Sequence, residues 1–292
     1  MIWLDLVGNA VATGALLGCI YALLSLGLAI TFGILHIPNV AHPALVVTGA
    51  FWAAGANAMG YDPILAALPG AVVFYAAGLG FYEFYRRAFE SRGRGNTLAS
   101  LTLFFGLALV IEVALLIAFG ADLRSVDVDY VGRSLRLGFI TLPYRLLVPA
   151  ALGPLCVALL WLYLSRTHSG LAIRAVAQGE TALGISGVDP ERIKRHAFGL
   201  SLATAAIAGA ALVVVGPVGP FSGQPLIGRV FAVVVLAGMG SIPGVLAAAL
   251  VIGIAESLVS SFANPAWAPG VAFAILLATI AVRPTGLFGF AR

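Results

Sequence analysis

Lysine is almost missing from this 292-residue chain: Lys194 is the only one, and the other fixed positive charges are arginines. Charge of either sign is scarce. Asp, Glu, Lys and Arg together make 10% of the residues, against about 25% in a soluble domain. Such a chain cannot cover a water-facing surface with polar groups. That excludes a soluble enzyme, a disordered protein and, despite an isoelectric point near 9.3, a nucleic-acid binder. Cysteine is limited to Cys19 and Cys156, each inside an apolar run without a CxxC spacing or a His or Asp companion. Small apolar packing is the expectation for both, rather than a metal site or a disulfide. The start, Met1-Ile2-Trp3-Leu4-Asp5, lacks a basic region ahead of its apolar run. The first run is therefore expected to remain as a membrane anchor rather than to be cleaved as a signal peptide. No HExxH, paired carboxylates or Ser/His/Asp grouping suggests catalysis, and no internal repeat suggests an inverted-repeat carrier.

What is abundant is hydrocarbon. Hydrophobic residues make 61% of the chain and the mean hydropathy is +1.05, the composition of a protein that lives in a lipid bilayer. A transmembrane helix needs about 20 mostly apolar residues. Candidate spans lie at 8–35, 43–60, 63–86, 97–119, 145–165, 197–216, 229–260 and 267–283. The seventh is too long for one plain helix and carries Gly238, Gly240, Pro243 and Gly244 near its middle. We read it as two pieces joined by a break at Gly238-Met239-Gly240-Ser241. The expected fold is an all-α, polytopic membrane bundle of eight or nine spans, a single domain over 1–292. Positive charge is absent before Arg86 and then clusters at Arg86, Arg87, Arg92 and Arg94. The positive-inside rule places that loop in the cytoplasm. By alternation the N-terminus and 120–144 are outside, and the His36–His42 turn and 166–196 are inside. A cytoplasmic C-terminus, with Arg283 and Arg292, favours nine crossings.

The loop 166–196 is the most informative segment. Leu171, Ala172, Ala175 and Val176 recur at helical spacing, Gly184 and Gly187 interrupt, and Asp189-Pro190 reads as a cap and first residue of a new helix. Two readings fit this amphipathic pair: a helix lying on the membrane surface, or a docking helix for a cytoplasmic subunit.

Polar residues within apolar stretches are the other signal. Glu112 and Glu256 fall inside candidate spans, where an ionised group costs roughly 2.5–3.5 kcal/mol on insertion scales and faces a partner or a water-filled path. Each is read either as a helix-to-helix hydrogen-bond partner or as part of a path. Asn39 and His42 sit at the first turn, as capping and turn residues or as a polar gate; His36 beside them reads as a turn residue. Gly238, Gly240 and Ser241 mark either close helix packing or backbone lining a cavity. Asn39, His42, Gly238, Gly240, Ser241 and Glu256 are thus the candidates for a solute path. Gly14 and Gly18 have the spacing of a helix-packing pair. The loops at 120–144, with Arg124, Arg133 and Arg136, and at 216–225 read as solvated external segments or as a surface for an external partner.

Several blocks, in order, resemble the permease subunits of branched-chain amino acid ABC importers over nearly the whole chain. They are Gly14, Gly18, Tyr21-Ala22-Leu23 and Gly27; Asn39-Val40-Ala41-His42; Gly170-Leu171-Ala172-Ile173-Arg174-Ala175 and Ala182-Leu183-Gly184-Ile185-Ser186-Gly187; Phe231 to Glu256; and Arg283-Pro284-Thr285-Gly286-Leu287-Phe288-Gly289. Departures are Pro43 where Gly is usual, Arg229 where Lys is common, and Ala237 in place of the first Gly of a pair. The resemblance implies a transmembrane permease in the bacterial inner membrane for branched-chain or related hydrophobic amino acids; relatives also move urea and short amides. It implies a second homologous permease subunit, two cytoplasmic ATP-binding subunits and a periplasmic substrate-binding protein. It places ATPase coupling at Leu171, Arg174, Ala175, Glu180, Ala182, Gly184 and Gly187. No cofactor is expected in this chain, since ATP would sit in the partner subunits: no G-x-x-x-x-G-K-[ST] motif occurs, and Lys194 cannot supply one. The competing reading is a self-contained channel or facilitator for a small neutral solute such as urea.

Overall fold

The computed structural model describes residues 2–90, 97–137, 140–238, 240–283 and 285–288. Helices α1 (Ile2–Thr31), α2 (His42–Ala58), α3 (Ala67–Tyr85) and α4 (Thr97–Phe119) come first. A small hairpin follows, β1 (Ser134–Leu137) with β2 (Ile140–Pro143), antiparallel in a register that sets Leu135 opposite Leu142. Then come α5 (Tyr144–Arg166), α6 (His168–Gln178), α7 (Glu180–Ile185), α8 (Pro190–Val215), α9 (Gln224–Ala237), α10 (Ile242–Phe262) and α11 (Ala268–Val282).

Seven helical stretches are long and apolar enough to cross a bilayer: α1, α3, α4, α5, α8, α10, and α11 taken together with the 3-10 turn Pro265–Trp267 that leads into it. The eight or nine expected spans correspond to these plus α2 and α9, which have 17 and 14 residues. At 1.5 Å per residue each is shorter than the roughly 30 Å of hydrocarbon. Irregular turns at 32–41 and at 238 and 240–241 adjoin them and are backed by protein. Gly33 and Gly240 approach each other there, and the peptide N–H groups of Leu287 and Phe288 donate to the carbonyls of Leu236 and Ala237 at 2.8 and 3.2 Å. The C-terminal segment thus satisfies the carbonyls that the end of α9 leaves open, at the same place where the α1–α2 turn lies.

Helices α1 and α8 form the centre, with 72% and 78% of their spanning windows buried, against 22% for α4 and 17% for α11 on the periphery. Small residues let the central helices meet backbone to backbone. A Cβ on Gly14 would lie 2.6 Å from the Ile254 Cα, and one on Gly18 would lie 2.7 Å from the Leu250 Cα. The Gly14/Gly18 pair is therefore a packing seam between α1 and α10. Gly49 of α2 does the same against Ala205 and Ala206 of α8. Cys19 and Cys156 are free thiols packed against the main core.

The two ends of the bundle differ. At the end holding the start of α1, the described residues of the 120–144 segment are mostly exposed but are tied to neighbouring elements by hydrogen bonds. Arg124 and Val218 exchange backbone hydrogen bonds at 2.9 and 2.8 Å, and the Thr141 N–H donates to Asn9 Oδ1 at 2.9 Å; just beyond, Arg145 at the start of α5 donates to the Val215 carbonyl. The opposite end carries α6, α7 and the arginines that follow α3; Arg86 bridges to Glu83 at 2.7 Å and to Glu191 at 2.9 Å. Arg92 and Arg94, Met239, Pro284, Gly289 and Arg292 lie outside the described residues.

Candidate functional site

The helix pair expected between 166 and 196 is present, and local chemistry explains its boundaries. Thr167 Oγ1 accepts from the Gly170 N–H at 3.0 Å, capping α6. Asp189 accepts from the Glu191 N–H at 3.0 Å and Pro190 opens α8, as the Asp-Pro pair predicts. Gly170 presses on the backbone of Tyr163 and Leu164, fastening α6 to the end of α5. The buried face differs from the one anticipated. Ile173 and Val176, with Gly170, turn inward, while Leu171 is 49% exposed. The reason is the close approach at Gly170, which rotates the helix so that 170, 173 and 176–177 face the bundle. Arg174, Gly184, Ile185 and Gly187 are exposed and Ala175 is half-buried. Gly187 has φ +80°, a left-handed turn ahead of α8 that suits glycine. The side chains of Glu180 and Ala182 lie outside the described residues. What remains is a short helix anchored on one face, with Leu171, Arg174 and Ile185 presented to solvent.

Glu256 lies elsewhere, at the floor of a cleft of about 350 Å³ between α1, α9, α10 and the start of α11. The carboxylate is 4% exposed and pairs with Arg229, Nε to Oε1 at 3.0 Å. The Tyr21 hydroxyl donates to Oε2 at 2.7 Å, and the Arg229 guanidinium stands 5.8 Å from the centre of the Tyr21 ring. Three helices are joined by this charged group, and each carboxylate oxygen has a partner, which is what a buried charge in a membrane requires. Hydroxyls of Thr13, Ser257, Ser260 and Ser261 line the walls with Asn9. Glu112, by contrast, is a helix-to-helix latch: it accepts from Gln224 Nε2 at 2.9 Å, holding α4 to the start of α9.

Asn39 and His42 are fully buried near the opposite end. His42 Nε2 lies 3.0 Å from the Leu24 carbonyl, and Ser201 donates to the Gly27 carbonyl at 2.8 Å close by. Asn39 does not cap α2 with its side chain: the cap position is Ala41, and only the Asn39 carbonyl takes part, accepting from the His42 N–H at 3.2 Å. Among the described residues neither its amide nitrogen nor its oxygen has a partner. It borders a small apolar cavity of about 170 Å³ walled by Phe81, Phe104 and Phe198. Gly238 and Gly240, at φ +88° and +85°, and Ser241, whose Oγ accepts from the Gly244 N–H at 3.2 Å, form the α9–α10 joint against Gly33.

The expected path residues therefore fall in three places: the start of α2, the α9–α10 joint, and the Glu256 cleft. Sequence reading did not name Tyr21, Asn9 or the serines of α10 as site residues and gave Arg229 only as a departure. A signal was there. Between 196 and 282 Arg229 is the sole cation and Glu256 the sole anion, and isolated opposite charges in hydrocarbon seek each other.

The family model described as the branched-chain amino acid transport system permease component matches residues 10–280. The chain belongs to this family. It is 26% identical over 289 residues to the high-affinity branched-chain amino acid transport system permease protein BraD of Pseudomonas aeruginosa, covering 94% of each chain. It is 27% identical over 294 residues to the corresponding permease protein LivH of Escherichia coli, covering 94% of this chain and 93% of that one. A probable LivH of Methanocaldococcus jannaschii is 26% identical over 301 residues, covering 98% and 94%. No solved structure matches the chain. This is a multi-pass membrane protein of a transport-permease family, not of an enzyme family.

Proposed function

We propose that this chain is one permease subunit of an ATP-driven inner-membrane importer for branched-chain or related hydrophobic amino acids. One observation carries the reading beyond family membership: α6 is anchored on one face and presents Leu171 and Arg174, followed by exposed Ile185, at the end of the bundle bearing the arginines. A lone membrane-surface helix would turn its largest apolar side chains toward lipid as one face; here Ile173 and Val176 are used up in anchoring α6 to the bundle. The exposed remainder fits the groove of a cytoplasmic subunit. Two ATP-binding subunits, a second permease of the same kind and an external solute-binding protein complete the machine. Closure of the ATP-binding subunits moves α6–α7, and because α6 is seated on α5 and α8 the displacement reaches the central helices.

The test is uptake in proteoliposomes. The chain is reconstituted with its partner permease, ATP-binding subunits and solute-binding protein, and challenged with labelled leucine, phenylalanine or urea. Leucine uptake that needs both ATP and the binding protein is expected. Uptake by this chain alone, indifferent to ATP, would make it a facilitator and reject the importer reading.

A further inference from the structure

The Glu256 cleft has a composition that packing does not need. Helix seams in this protein are built from glycine and alanine, as at Gly14, Gly18 and Gly253. One step along the same α1–α10 seam stand a full ion pair, a tyrosine hydroxyl and a wall of small hydroxyls. The pair is also incompletely used. Among the described residues Arg229 hydrogen-bonds only through Nε, and its side chain is 20% exposed. Its two terminal –NH2 groups, the fork that suits a carboxylate, are free to face the cleft. Each Glu256 oxygen accepts one hydrogen bond and has capacity for another. The cleft thus presents a carboxylate-binding fork and an ammonium acceptor side by side, on a floor with no net charge.

We infer that the Arg229–Glu256–Tyr21 group is a solute-binding station that holds the two ends of a zwitterionic α-amino acid, carboxylate on the Arg229 fork and ammonium on Glu256. The inference rests on the importer reading. The ion pair need not break, because the solute uses donors and lone pairs the pair leaves over. Tyr21 fixes Oε2 and stacks beside the guanidinium, so the two charges keep their spacing when the cleft is empty. Leu6, Leu17 and Ala268 give the side chain of the solute an apolar wall. A cleft of about 350 Å³ lies at the small end of the roughly 300–1,000 Å³ range of ligand pockets, right for one small solute. Selectivity follows from charge. A net anion meets Glu256 and a net cation meets Arg229, each at close range, so a molecule carrying both ends is favoured.

Two measurements on the assembled complex test this. The first is binding of labelled leucine to the complex without nucleotide or solute-binding protein. Saturable binding is expected. Unlabelled leucine should displace it, while 4-methylpentanoate and 3-methylbutylamine, which each keep one charged end, should compete at least tenfold more weakly. Arg229→Lys keeps the positive charge but loses the fork, and should weaken binding at least tenfold. Equal competition by a one-ended analogue, no leucine binding by the complex, or unchanged binding in Arg229→Lys would overturn the inference. The second is ATP-driven uptake by the double variant Arg229→Leu, Glu256→Leu, which removes both charges together so that neither is left buried alone. Uptake should fall at least tenfold while assembly and ATPase activity persist; wild-type uptake would make the pair purely structural and overturn the inference. If the double variant does not assemble, the Arg229→Lys binding result decides. A wild-type complex that shows no ATP-dependent uptake would instead remove the importer reading, an outcome distinct from either variant result.

Discussion

Adding one methyl group to Gly253 should separate the two helices that hold the cleft together. A Cβ at this position would stand 2.6 Å from the Gly14 carbonyl oxygen and 2.6 Å from the Gly18 Cα. Both obstacles are backbone, so no side-chain rotation relieves them. The Gly18 amide nitrogen is nearer still, so restoring an ordinary contact of roughly 3.4 Å or more means moving α1 and α10 apart by about 1 Å, and overpacking of this kind costs about 1–3 kcal/mol. At about 2–4 °C per kcal/mol for a chain of a couple of hundred residues, Gly253→Ala should lower the melting temperature by roughly 2–12 °C. The protein supplies its own reporter. Cys19 and Cys156 are free and partly buried, and a thiol-reactive fluorophore reads their exposure as purified protein is heated in detergent. Gly80→Ala is the control: nothing lies within 4 Å of its Cβ position in α3, and alanine gains up to about 1 kcal/mol in helix propensity. It should melt at or slightly above the wild-type temperature. If Gly253→Ala melts with the wild type, or Gly80→Ala falls as far as Gly253→Ala, backbone contact at the α1–α10 seam is not what holds these helices.

Arg174→Glu, on the exposed face of α6, should leave assembly intact but lower leucine uptake several-fold relative to ATP hydrolysis; parallel assays showing both unchanged would sink the docking role. Glu112→Leu removes the acceptor that Gln224 Nε2 meets at 2.9 Å; Gln224 is itself exposed and can turn to water, so the loss should be only the net worth of one hydrogen bond, about 0.5–1.5 kcal/mol, with uptake per folded complex retained; abolished uptake at normal yield would move Glu112 into the path. Gly240→Leu must force a side chain into φ +85°, a strain of order 1–2 kcal/mol, and should impair transport while subunits still co-purify. Loss of co-purification would assign the joint to packing alone.

Much of the architecture is written locally. Runs of apolar residues mark the spans because the bilayer thickness fixes their length. Asp189-Pro190 and the Gly238–Ser241 break are legible for the same reason: a cap, a fixed φ or a positive φ depends on a few neighbouring atoms. The α1–α10 packing seam at Gly14 and Gly18 was likewise visible as a spacing. Even the charge pairing at the cleft had its sign in the sequence, as one cation and one anion in a long apolar stretch.

What could not be read locally is which surfaces meet. In water an amphipathic stripe tells a helix which side is inward. Helices α1, α4 and α11 are mostly apolar with no continuous polar stripe, and lipid is as apolar as a neighbouring helix, so hydrophobic pattern alone does not separate the central α1 from the peripheral α4 and α11. The rotation of α6, which a single close approach at Gly170 decides, and the capping of α9 by Leu287 and Phe288, whose donors come from 51 residues away for each carbonyl, were hidden for a different reason: each depends on a contact with a distant or neighbouring element that no local pattern records. The candidate station is the extreme case. Tyr21 and Glu256 are 235 positions apart, and Arg229 reaches them from a third helix. Composition requires that an intramembrane charge find a partner; only the packing of α1, α9 and α10 selects which partner, and leaves the Arg229 fork open to a cleft.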